Sequence, residues 1–305
     1  MGDLSQYSQN AAYFTTKGSA QVGIYRSAPY QNVGSICCLI KTERTTEYFL
    51  KSATNADLVL QVARDRSGKG PVALSVYSVE GNLIASKTFN PATPIYLIAV
   101  DRSRKYLAWT DGSTINIYDS SLAPVRSQKL AGSLTKPKEL LLSTAARGAL
   151  LIGQDALLVA NFDSGKEALI QSCGAPGDHA YAAAPAEVIA NSYVVLTASG
   201  EGCRVDGMSG SRFQTKPRAD LRGMYFTSDL LFVITTESVE ALNTTSLSTQ
   251  AVFELIPFYE RKFGRDENEK PFFVQHEFDA SASRFYLRGS VSTGTFFEIS
   301  VNRPR

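Results

Sequence analysis

The chain is poor in the residues that most often carry chemistry. Its 305 residues include two histidines and four cysteines, with no C-x-x-C and no H-x-x-x-H spacing. The converging soft or imidazole ligands of a zinc site are therefore not provided for. Cys37 and Cys38 are adjacent, Cys173 and Cys203 stand far off, and no apolar leader opens the sequence. Four free thiols in a reducing setting, intracellular and cytoplasmic, are the expectation. No run approaches the apolar length that crosses a bilayer, so no membrane span is expected. A nucleophile elbow and a P-loop are both missing, and the glycine-rich Ser67–Gly70 lies between two predicted strands, not ahead of a helix. No two carboxylates have a spacing that implies proximity, which leaves acid–base catalysis without candidates. His276 and Glu277, on a predicted inner strand, are the only foothold for an enzyme reading. The expectation is a protein that is not an enzyme and needs no cofactor.

Long amphipathic helices are also missing; short strand patterns recur instead. One unit appears seven times, an apolar strand ending in a polar turn: 21–27, 74–81, 114–120, 157–165, 203–210, 238–245 and 295–301. Its reference positions Tyr25, Tyr77, Tyr118, Phe162, Gly207, Asn243 and Ser300 are 36 to 57 residues apart. Sheets of four short strands stacked side by side have such a period. The clearest unit places strands at 95–100, 105–110, 114–118 and 125–130, with Asp111-Gly112 as the hairpin turn between the second and third. A second unit has strands at 47–51, 56–63, 72–79 and 83–89; residues 138–173, 186–216 and 219–256 supply three more. Lys138–Leu151 has helix-friendly letters, but Gly148 and the repeat register argue for two strands. Residues 11–41 supply three strands and 271–302 three more, with Leu4–Gln9 as the segment that completes the last unit and closes the ring. The fold class is thus all-β, a single β-propeller domain over 1–305 with about seven four-stranded blades, six being the alternative.

Tyr118-Asp119 at a strand end, and the inner-strand and hairpin pattern from Ile95 to Tyr118, resemble the WD-repeat propellers in divergent form. The resemblance implies a platform for protein–protein interaction. Segments 14–19 and 106–112 are similar to the propeller of translation initiation factor two-A, and RNA or translation-machinery binding is the alternative function.

Charge is uneven although its sum is near neutral. Residues 1–150 hold 17 Lys and Arg against 10 Asp and Glu, and residues 151–305 hold 14 against 19. On a propeller, inter-blade loops share a rim with the loops between second and third strands. Lys41, Arg44, Arg64, Arg66, Lys69, Lys136 and Lys138 all map to that rim, where they suit an acidic or phosphorylated protein surface or a nucleic-acid backbone. The link 257–271 is much longer than the usual two to six residues. It opens with Phe258, Tyr259, Arg261 and Lys262, and aromatics beside arginine are typical interface anchors.

Overall fold

A computed structural model describes residues 3–7, 13–17, 22–26, 31–36, 44–53, 56–65, 71–90, 97–101, 105–132, 134–171, 173, 180–186, 189, 191–227, 229–255, 273–279, 284–289 and 296–300. Side chains are described for 23–24, 31–36 and the described residues from 71 to 255. The described elements are strands and one 3-10 turn, Thr144–Ala146.

The described strands form seven sheets, each with its strands adjacent in chain order, and the six four-stranded ones are antiparallel meanders. Sheet one holds β1 (Asp3–Tyr7), β2 (Tyr13–Lys17), β3 (Val22–Arg26) and β4 (Gln31–Ile36). Sheet two holds β5 (Arg44–Ala53), β6 (Ala56–Asp65), β7 (Val72–Ser78) and β8 (Leu83–Phe89). Sheet three holds β9 (Leu97–Val100), β10 (Tyr106–Thr110), β11 (Thr114–Asp119) and β12 (Pro124–Lys129). Sheet four holds β13 (Glu139–Leu142), β14 (Gly148–Ile152), β15 (Leu157–Asn161) and β16 (Lys166–Ile170). Sheet five holds β17 (Tyr181–Pro185), β18 (Ser192–Thr197), β19 (Glu201–Asp206) and β20 (Ser209–Gln214). Sheet six holds β21 (Leu221–Phe226), β22 (Leu230–Thr235), β23 (Ser238–Asn243) and β24 (Thr249–Glu254). The last sheet has three strands among the described residues, β25 (Phe273–Asp279), β26 (Arg284–Gly289) and β27 (Phe296–Ser300). All seven copies of the sequence repeat are third strands of these sheets. Lys138–Leu151 is two strands, as Gly148 implied: a Cβ there would fall against Asn191 Oδ1 and 2.6 Å from the Ala160 carbonyl oxygen.

Two expectations are corrected. β1 pairs with β2 in sheet one and does not add to the last sheet. A short link makes the local hairpin the cheaper closure, in entropy, than pairing across the whole chain. The cysteines are not all free thiols: Cys173 and Cys203 form a disulfide, with Cα atoms 5.3 Å apart. Thirty residues separate them in sequence, and only the packing of sheet four's exit against sheet five brings them together.

The chain divides into two compact units. The first is Met1–Leu130 with Glu277–Tyr286 and Glu298–Arg305, the second Ala131–His276 with Leu287–Phe297. In the first unit, sheets two and three bury Val72, Leu74, Val76, Leu107 and Leu122 between them. Phe89 stacks at a tilt on Trp109 and Tyr118, with ring centroids 5.6 and 4.9 Å apart. In the second unit, sheets four and five share a core of Leu150, Val159, Tyr193, Val195 and Val205. Sheets five and six share one of Val194, Leu196, Phe226, Leu231 and Val233. Burying one such side chain contributes about 1.5–3 kcal/mol. A sheet flanked on both faces needs apolar residues on both, so β14 and β18 are buried at every position while the outer strands β12 and β24 are mostly exposed.

The repeat has a chemical basis at the end of the third strand. Asp119 Oδ1 accepts from the Ser121 and Ala123 backbone N–H groups at 2.8 and 3.0 Å. Asn161 Oδ1 accepts from Asp163 and Ser164, and Asn243 Oδ1 from Thr245 and Ser246. Ser78 Oγ does the same for Glu80 and Asn82. A short polar side chain at this place replaces the hydrogen bonds that the departing ladder no longer supplies.

Candidate functional site

The basic residues singled out in the sequence are partly outside the described residues: Lys41, Arg66 and Lys69 lie there, as does all of 257–271 with Phe258, Tyr259, Arg261 and Lys262. Arg44 opens β5 and pairs in register with Asp65, and Thr45 pairs with Arg64. The hairpin register thus brings Arg44 and Arg64 to the same end of sheet two. Arg44 sits on β5 and Arg64 on β6, not in the flanking loops, which corrects both placements: β5 starts three residues before Glu47, and strand pairing continues two residues past Ala63. Lys136 and Lys138 precede β13 in the second unit, where Lys136 is exposed with a φ of +44° and the Lys138 N–H donates to the Ile152 carbonyl at 2.8 Å. His276 and Glu277 lie on the strand β25, and their side chains fall outside the described residues.

The second unit holds a groove of about 350 Å³ that the sequence did not reveal, between sheets five and six. Val194, Phe213, Phe226, Leu231 and Leu247 form its apolar floor; Arg204, Asp206, Arg212 and Thr245 line it with polar groups. Arg204 projects from β19. Its Nε donates to Asp206 Oδ2 at 2.7 Å, its Nη1 donates to the Thr244 carbonyl at 2.9 Å, and its Cζ lies 5.6 Å from the centre of the Phe226 ring. The side chain is 28% exposed. A guanidinium fixed at two points over an aromatic face has little rotamer entropy left to lose.

Asp206 occupies the place at which Asp119, Asn161 and Asn243 hold their turns. Here the β19–β20 turn is only Gly207 and Met208, with Gly207 at φ +62°. So tight a turn closes on its own register, Asp206 opposite Ser209. The carboxylate instead accepts from Ser192 Oγ at 2.6 Å and clamps Arg204. Gly207 in the repeat is the signal that could have shown this departure.

A second link between these sheets is an ion cluster that ties sheet five's exit to sheet six. Arg218 Nη2 and Lys216 Nζ each lie 2.9 Å from Glu240, and Arg218 Nη1 also donates to Thr215 Oγ1 and the Lys216 carbonyl. Burial pushes the Glu240 carboxyl up, but hydrogen bonds and charges from Lys216 and Arg218 outweigh it and leave the group below the usual carboxylate range. The first strands of sheets four and five meet through Glu139 and Tyr181. Burial raises the Glu139 carboxyl, against a hydrogen bond from Tyr181 that lowers it. The Tyr181 hydroxyl is raised by burial and by the Glu139 charge. No group of three or more metal-ligating side chains lies together among the described residues. None of the helices there is long and apolar enough to cross a membrane.

No protein-family model matches the chain, and no curated protein is similar to it. Among solved structures 900 chains match. One of them, a complex of KlAtg21 with the coiled-coil of AgAtg16, covers 72% of this chain and 72% of that chain, with a TM-score of 0.53 and 9% identity. KlAtg21 is a WD40 β-propeller protein. At that identity the likeness is one of fold, and with the all-β meanders it supports a propeller-like architecture.

Proposed function

We propose that the chain is a non-enzymatic, propeller-type scaffold that binds another protein. The observation that carries this reading is the run of seven sheets with strands adjacent in chain order, each with the repeat as its third strand. The neighbour's coiled-coil partner supports a protein as the ligand class. Closure of the seven sheets into one ring is part of the same proposal. The proposed contact surface comprises Arg44 and Arg64 at one end of sheet two, Lys136 and Lys138 ahead of sheet four, and, from the sequence alone, Lys41, Arg66, Lys69 and the aromatic–basic start of 257–271. An acidic or phosphorylated surface matches those charges.

The test is capture of partners from native lysate on the full chain, with and without nuclease, beside the triple reversal Arg64→Glu, Arg66→Glu and Lys69→Glu. Nuclease-resistant partners that the reversal loses, and that weaken as salt rises from about 50 to 300 mM, are the expected result. Partners lost on nuclease treatment would instead indicate RNA binding, and no captured protein at all would overturn the reading.

A further inference from the structure

We propose that the Cys173–Cys203 bridge is a redox latch: thiol exchange at Cys173 opens it and releases the link between sheets four and five, while the sheets themselves stay folded. The latch operates whether or not the chain is a scaffold. Three observations converge. First, the two sulfurs differ in access. Cys203 is 2% exposed on β19, whereas Cys173 is half-buried on the link that leaves β16. A disulfide is cleaved by a thiolate that reaches one of its sulfurs, so access selects Cys173 as the sulfur attacked and Cys203 as the leaving group. Second, the bridge ties a connection to a strand, and the strand has other support. Cys203 pairs with Val195 of β18 on one side and with Arg212 of β20 on the other. Opening the bridge removes a tie of the link and breaks no ladder pairing. Third, the fold makes room for the sulfurs. Gly210, opposite Val205 on β20, lacks a side chain where a Cβ would fall 2.7 Å from Cys173 Sγ and 3.4 Å from Cys203 Sγ. The bridge takes the place that a β20 side chain would fill.

The reductant is a small thiol. Its thiolate attacks Cys173 Sγ, the Sγ–Sγ bond breaks, and Cys203 leaves as a thiolate that takes up a proton. A second thiolate attacks the small thiol's sulfur in the resulting mixed disulfide; Cys173 leaves and takes up a proton, and the two small thiols depart joined as a disulfide. The protein gains two electrons and two protons, and the thiols lose the same. The small disulfide closes the latch by the reverse steps, entering at Cys173. Once open, the link is retained at Cys173 by packing against the core that sheets four and five share, and no longer by a covalent bond.

Buffers of reduced and oxidised glutathione test this on the full chain. Samples are quenched in acid, alkylated and read peptide by peptide by mass spectrometry, so that Cys37 and Cys38 are counted apart. The bridge should open and reclose reversibly with the buffer ratio. At the earliest times the glutathione adduct should sit on Cys173, in about tenfold or greater excess over Cys203. Far-UV circular dichroism should keep its β signal in the open form, and hydrogen exchange should quicken in 171–180 and not on β18 or β19. Gly210→Ala leaves both cysteines in place but puts a methyl against Cys173 Sγ. It should half-open at a ratio of reduced to oxidised glutathione about tenfold lower than the parent chain. Should that variant not fold, the position of the first adduct on the parent chain still decides. A bridge that no ratio opens, a first adduct on Cys203, loss of the β signal on opening, unchanged exchange in 171–180, or a half-opening ratio unmoved in a folded Gly210→Ala chain would each overturn the proposal.

Discussion

Replacing Glu240 by glutamine separates two kinds of ion pair that meet on one carboxylate. Arg218 Nη2 and Lys216 Nζ are equally close to it, both at 2.9 Å, but the Arg218 side chain is 3% exposed and that of Lys216 56%. In the variant, the Arg218 guanidinium stays buried without a counter-charge. Removing one partner of a buried pair costs about 3–5 kcal/mol, whereas an exposed pair is worth about 1 kcal/mol at most. Glu240→Gln should therefore cost several times what Lys216→Ala costs, despite equal distances. At about 2–4 °C per kcal/mol, the glutamine variant melts roughly 6–20 °C lower. The double variant Glu240→Leu with Arg218→Met should recover most of that, because an apolar pair of similar volume avoids the desolvation of both charges. Acid should shrink the difference. The folded Glu240 carboxyl lies below its unfolded value of about 4.3, so its stabilisation is complete above that value and is lost as pH falls through the folded one. Thermal melts at neutral pH and at about pH 3 check this, with hydrogen exchange at 215–218 and on β23 tying the effect to the cluster. A Lys216→Ala loss as large as that of Glu240→Gln, or a glutamine penalty undiminished in acid, would refute the reasoning.

Three further outcomes follow from the packing. Gly148→Ala should lose about 1–3 kcal/mol in urea titration, because its methyl meets the Ala160 carbonyl and Asn191; wild-type stability would show that β14 is placed wrongly. Cys173→Ser should cost about 3–4 kcal/mol by the loop-entropy relation for a 30-residue separation, and non-reducing mass spectrometry of the parent chain should find it two hydrogens lighter than the reduced form. Glu139→Gln should raise the melting temperature at neutral pH and leave it unchanged in acid. Burial raises the folded Glu139 carboxyl, so the group favours folding only while protonated, and that advantage disappears as pH rises through the folded value. A melt insensitive to the substitution at both pH values would remove this account.

Much of the strand map was legible in the sequence, for local reasons. β8 spans Leu83–Phe89 as read from the alternation. β11 was short by one residue, since Asp119 pairs with Tyr106 before its side chain takes over the turn. Asp111-Gly112 marked its hairpin because Asp111 Oδ1 accepts from the Ser113 and Thr114 N–H groups. Gly148 outweighed helix-friendly neighbours because no larger residue fits beside Ala160. Arg64 was misplaced because hairpin length depends on pairing, and Thr45 opposite Arg64 is a property of two strands together.

What the sequence determined by itself is therefore the period-two alternation and the turns held by Ser78, Asp119, Asn161 and Asn243 at third-strand ends, all interactions within a few residues of chain. What only the tertiary structure decided are the pairings between sheets. Cys203 meets Cys173, Glu240 meets Arg218, and Arg204 reaches Thr244 across the groove. Each joins residues 22 to 40 positions apart, where the partner depends on which sheets stack and in what register, and no local pattern encodes that choice.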